Sequence, residues 1–150
     1  MPARKFNKLR QRKKVALAII AHEYAYGREK IKGLIEYYSR HTTWEIDRNK
    51  LFQPFVKFSA LKNWKGDGVV GEIYNERDGD IARSLTMPYV NTSSSFHAEG
   101  LPSVRIDNKL VGKMGADHLL QLGVDHFLFV GPTDLLHVHE RYQGFSKSIK

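Results

Sequence analysis

A chain of 150 residues with 41% hydrophobic side chains is long enough for one modest core, or for part of a larger domain. It has no cysteine, which excludes disulfides and thiolate metal sites and suits a reducing compartment such as the cytoplasm. Seven of the 24 basic side chains lie in residues 1–14, which carry no acid, so the remaining chain balances its 16 acidic residues to within one charge and the net +8 belongs to a solvated, flexible leader.

The organising stretch follows at once. Val15 to Ala21 is an unbroken apolar run, the pattern of a strand buried on both faces. A polar turn, His22 to Gly27, leads into Ile31, Leu34, Ile35 and Tyr38 at helical spacing, so a helix is predicted from about Arg28 to Ser39–Thr42. Trp44 to Asp47 alternates as a second strand would. Asn49 to Phe58 reads as loop, Phe58 to Trp64 as one or two helical turns, and Val69 to Ile73 as a third strand. Asn75 to Asp80 reads as polar loop and Ile81 to Met87 as a short helix. Pro88 to Asn91 makes a fourth strand, Thr92 to Gly100 a hydroxyl-rich loop, and Pro102 to Ile106 a fifth extended segment.

Asp107-Asn108 is predicted to cap the next helix, with Val111, Met114, Leu119 and Leu122 as its apolar stripe and Gly123 as its stop. His126 to Val130 is a sixth strand, Thr133 to Arg141 a loop, and a last helix starts at Tyr142. Strands alternating with helices over short connections define an α/β fold, a parallel sheet flanked by helices. In such sheets ligands sit beyond the carboxyl ends of the strands, which makes His22–Arg28 the first candidate site.

The common nucleotide signatures are absent: one glycine, Gly27, stands where a dinucleotide turn needs three, and no phosphate-cradling loop occurs. No Ser–His–Asp set is defensible without a G-x-S-x-G elbow, so no catalytic residue is assigned and the chain reads as no enzyme. His137-Val138-His139-Glu140 has metal-ligand chemistry, but a polar loop beside a cleft explains it better, and neither metal nor cofactor is assigned. Candidate ligand contacts are Arg141, whose planar fork suits vicinal hydroxyls or a carboxylate, Arg28 in the first turn, Asp107 as an acceptor, and Tyr26 and Phe96 as rings to stack on a sugar face, with Tyr24 as a further aromatic. Helix capping explains Asp107 equally well, and core packing the aromatics.

Asp107-Asn108, then His118-Leu119-Leu120-Gln121-Leu122-Gly123 and an apolar run ending at Gly131-Pro132, followed by Arg141-Tyr142-Gln143-Gly144-Phe145, resembles the periplasmic-binding-protein-like sensor domain of LacI/GalR-type regulators. Ala25-Tyr26-Gly27-Arg28 and Trp64-Lys65-Gly66-Asp67-Gly68-Val69-Val70 look most like the xylose operon regulators, in which an AraC-type DNA-binding domain follows the sensor. The resemblance covers about Lys14 to Lys150. It implies a two-lobed domain that closes on a small ligand, usually a sugar with xylose as the candidate, with Arg141 at the ligand and the stretch to Arg28 lining the cleft. Residues 15–106 would supply the N-terminal lobe and 107–150 the start of the second. The chain then reads as truncated within that lobe, and DNA would be reached only through a domain outside it. A homodimer is the expected assembly, and no segment is long enough to span a membrane.

Two other readings remain open at this stage. An exported sugar-binding protein would share the cleft chemistry but needs a signal peptide, for which a seven-residue apolar run cut off by His22 and Glu23 is too short. A small α/β enzyme would need a nucleophile, metal or phosphate loop that the sequence does not display.

Overall fold

The computed structural model describes residues 12–19, 24–41, 43–47 and 58–150. Most of the leader, the turn residues His22 and Glu23, and the predicted loop from Asn49 lie outside the described residues. The elements run in the order β1 (Lys13–Ala18), α1 (Ala25–Arg40), β2 (Trp44–Ile46), α2 (Phe58–Leu61), β3 (Gly68–Gly71), α3 (Glu76–Arg83), β4 (Tyr89–Asn91), α4 (Asn108–Gln121) and α5 (Leu136–Ser148). The sheet has the order β2-β1-β3-β4, and β1 pairs parallel with both β2 and β3, in register Val15 with Ile46 and Val15 with Gly68. A central first strand with parallel neighbours on either side is the arrangement that right-handed βαβ crossovers produce. The α/β fold with a parallel sheet is therefore the one expected from the sequence.

The chain divides into two compact units, one of residues up to Gly71 with Ser84–Tyr89, the other of Glu72–Arg83 with Val90–Lys150. In the first, Val15 through Ile19 are all buried, as a strand covered on both faces must be, and Leu61, Trp64, Val69 and Tyr89 complete the core. Gly71 admits no side chain: a Cβ there would meet Ala18 Cβ at 2.8 Å, so β1 and β3 can come together. The amino end of β1 is tied down by charge. Asp67 accepts from Lys14 N at 2.8 Å and from Lys13 Nζ at 2.9 Å, and these bonds hold its carboxyl below the usual carboxylate range. Buried Asp47 accepts from Trp64 Nε1 at 2.7 Å, and Lys14 lies over the same indole.

In the second unit, five predictions need correction. The polar stretch from Asn75 is helix, not loop, and the helix predicted over 81–87 ends at Arg83. Asn75 caps α3 by accepting from Asp78 N at 3.0 Å, Glu76 and Asp78 lie in its first turn, and Arg83 pairs with Asp80 at 2.8 Å and with Glu76. Local electrostatics, which apolar periodicity does not report, make this helix. Pro102–Ile106 forms only an isolated parallel bridge, Ser103 to Asn91, since one short strand edge is all it meets. The last helix starts at Leu136 rather than Tyr142, so 136–141 is helical and Arg141 lies in its second turn.

His126–Val130 is extended but pairs with no strand among the described residues. Its alternation survives nonetheless. Phe127 and Phe129 pack edge-on and tilted against Phe145 of α5, each with ring centroids 5.8 Å apart, while Leu128 and Val130 are 88% and 82% exposed. The stripe assigned to α4 is also displaced. Val111, Met114 and Leu122 face outward, and the buried positions are Asn108, Gly112 and Ala116. Small residues win because α4 and α5 cross with their backbones touching. A Cβ on Gly112 would sit 2.0 Å from Arg141 O, and one on Gly144 1.9 Å from Lys109 O. No helix of the described residues is long and apolar enough to cross a membrane.

Candidate functional site

The crossing of α4 and α5 brings together the most concentrated polar chemistry of the second unit. Asp107 has extended backbone geometry and its Oδ1 accepts from Leu110 N at 2.9 Å, the capping bond the sequence predicts. Asn108 next to it is 2% exposed and uses both ends of its amide. Its Oδ1 accepts from Arg141 Nε at 3.0 Å, and its Nδ2 donates to Ile106 O at 3.2 Å and to Glu140 Oε2 at 3.3 Å. Glu140 in turn lies 3.9 Å from Arg105 Nη1. A buried amide bridging two helices and the segment before them is therefore fully satisfied, as burial demands.

Beside this bridge is an open cavity of about 460 Å³ lined by Ser103, Arg105, Asp107, Asn108, Lys109 and Glu140. Two cations balance two carboxylates there, so the lining offers many donors and acceptors with little net charge. Such a wall suits a neutral, hydroxyl-bearing molecule better than a strongly charged one. Arg141 is half-buried, and among the described residues no partner takes its two terminal nitrogens, which keep four N–H donors in a plane.

The serine loop approaches α5 at its amino end. Leu136 N donates to Ser95 O at 3.4 Å, and Ser95 Oγ is 3.5 Å from His137 Nδ1. Burial holds the His137 imidazole below its ordinary value, Arg141 one turn on pushes it the same way, and Glu140 opposes them. Phe96 follows Ser95 in this loop and is half-buried.

The structure thus gathers Asp107 and Arg141 around Asn108 and puts Phe96 in the loop that meets α5. Tyr26 and Arg28 are in the first unit, on the first turn of α1, which begins at Ala25 rather than Arg28. The Lys30 ammonium covers the Tyr26 ring at 4.1 Å, a cation–π contact that competes with stacking on a sugar. Arg28 N donates to Tyr24 O, closing the first turn, and both side chains are exposed. The histidine-rich stretch is helical: His139 turns to Gln143, 3.0 Å away, while His137 and Glu140 look toward Ser95 and Asn108. Among the described residues no three metal-ligating side chains converge. Sequence reading took Asn108 only as part of a cap and Glu140 only as a possible ligand. The signal that could have found them is the pairing of an amide after a cap with an arginine whose helix must cross that cap.

The parallel sheet with its flanking helices, followed by a helix, an apolar extended segment and a helix bearing R-x-x-G-F, is a periplasmic-binding-protein-like fold, similar to that of solved LacI-type regulators. The resemblance read from the sequence holds in both sequence and structure comparison. The chain is 28% identical over 126 residues to the xylose operon regulatory protein of Escherichia coli strain K12, covering 81% of this chain and 31% of that one. It is 28% identical over 111 residues to catabolite control protein A of Staphylococcus xylosus, covering 73% and 33%. Among solved structures it is similar to a periplasmic binding protein/LacI transcriptional regulator from Alkaliphilus metalliredigens QYMF complexed with D-xylulofuranose (TM-score 0.67, 18% identity, 91% of this chain and 52% of that one). It is also similar to a complex of the transcriptional regulator CelR with cellobiose (TM-score 0.66, 19% identity, 93% and 47%). No family profile matches the chain. The chain spans about a third of the length of the curated relatives it matches.

Proposed function

We propose that this chain is part of the sugar-sensing domain of a transcription regulator, a binding module rather than an enzyme, with a pentose as the favoured ligand class. The observation that carries the reading is Arg141, held through Nε on Asn108, a residue that lines a polar, charge-balanced cavity, with no partner on its two terminal nitrogens among the described residues. Two parallel N–H donors match the oxygens of a vicinal diol, and Asp107 and Glu140 supply acceptors for the remaining hydroxyls. Support also comes from the relatives: solved structures of this fold hold D-xylulofuranose and cellobiose, and a curated relative regulates a xylose operon. In this reading 15–106 forms the N-terminal lobe and 107–150 begins the second, with Phe96, Tyr26 and Arg28 as further cleft residues. Sugar occupancy shifts the population between open and closed lobes, and a DNA-binding domain reads that shift.

Calorimetric titration of the chain with D-xylose, D-xylulose and cellobiose tests the reading. Saturable binding of a pentose, weakened at least tenfold by Arg141→Ala, is the expected result. Equal affinity in that variant removes Arg141 from the site, and no heat with any sugar refutes the sugar reading.

A further inference from the structure

The buried amide at the start of α4 has a role that helix capping does not explain. Asp107, one residue earlier, already satisfies the helix terminus by accepting from Leu110 N. Asn108 spends its oxygen instead on Arg141 Nε, 33 positions away, and anchors its nitrogen to Ile106 O and Glu140. We propose that Asn108 is a positioning residue that fixes the guanidinium plane of Arg141 by its Nε–H, so that the two terminal nitrogens are presented as a fork to a diol.

An arginine side chain has several rotatable bonds, and ordering them on binding weakens affinity unless the group is already held. A bond at Nε leaves both Nη groups available while defining the plane in which they lie. Asn108 can do this because it is itself immobile: 2% exposed and held by three hydrogen bonds. The support reaches further out. Glu140 accepts from the amide and lies 3.9 Å from Arg105, and Gly112 sits against Arg141 O, so backbone and side chain of Arg141 are both located by α4. Arg141 is thereby tied to α4 through both its backbone and its side chain.

This inference rests on the proposal that Arg141 contacts a sugar, and the test separates the two. The measurements are the hydrogen-exchange rate of the Arg141 Nε–H by ¹⁵N-edited NMR, assigned by its loss in Arg141→Lys, and calorimetric affinity for D-xylose, both on the full chain. Asn108→Ala is expected to speed Nε–H exchange at least tenfold and to weaken D-xylose binding about tenfold. Asn108→Asp keeps the acceptor for the Nε–H but loses both Nδ2 donors and sets a carboxylate against Ile106 O and Glu140, so its Nε–H exchange is expected to be slower than in Asn108→Ala although the variant is less stable than the unaltered chain. If Asn108→Ala does not fold, Asn108→Ser replaces it, being too short to reach Nε. Exchange unchanged in the short variant overturns the inference, as does fast exchange with undiminished D-xylose affinity. If the unaltered chain binds none of D-xylose, D-xylulose and cellobiose, the sugar reading fails, while slow Nε–H exchange that Asn108→Ala abolishes still upholds the anchoring of Arg141.

Discussion

Gly144 holds its place between Gln143 and Phe145 for a steric reason: a methyl group there would press 1.9 Å from Lys109 O. Backbone cannot yield as a side-chain tip does, so Gly144→Ala should lower stability by about 1–3 kcal/mol, the usual range for overpacking. Urea unfolding of the variant reads this directly, and a wild-type midpoint would show that the two helices do not lie so close. His137 gives a second prediction at this scale. Its folded value is pushed below the ordinary 6.5, chiefly by burial, so protonation favours the unfolded chain. The stability tied to its neutral form is complete above about pH 6.5 and declines as pH falls from there toward the folded value. His137→Gln should therefore flatten the thermal-stability profile between about pH 7 and 5. A slope identical to that of the unaltered chain would assign the acid sensitivity to other groups.

At the scale of elements, helix ends were more legible than helix faces. Asp107 and Gly123 bound α4 as read, one by its capping carboxylate and the other by a backbone φ of +76° that favours glycine. Asp107→Ala should cost about 1 kcal/mol through loss of the cap, while Asp107→Ser should restore most of it. If sugar affinity falls in the serine variant despite restored stability, Asp107 serves ligand as well as helix. The buried face of α4 was misread because apolar periodicity assumes that large side chains point inward. Here the partner is another helix at backbone contact, and only Gly112 and Ala116 fit. Helix α3 was placed too late in the chain, over 81–87 instead of Glu76–Arg83, for the converse reason: its stability comes from Asn75 and the ion pairs of Arg83, with little apolar stripe to detect.

For the molecule as a whole, the two units differ in how their extended segments are held. Val15–Ala18 is buried and pairs along its whole length with β3, Val15 with β2 as well, whereas Phe127–Val130 has a helix on one face and no strand beside it among the described residues. Amide exchange should follow this difference, with Ala16 to Ala18 among the slowest amides and Leu128 and Val130 exchanging orders of magnitude faster. Comparable protection of the two segments would mean that 126–130 acquires a neighbouring strand in solution.

By itself the sequence determined the parallel α/β class, the doubly buried first strand, the cap at Asp107 and the family resemblance, because each is written in local order: an apolar run, a capping residue, a spaced motif. Only the tertiary structure decided which face of α4 is buried, that 126–130 pairs with no strand among the described residues, and that Asn108 holds Arg141. These depend on what stands opposite a residue rather than on what stands next to it. A hydrogen bond across 33 positions leaves no trace in periodicity.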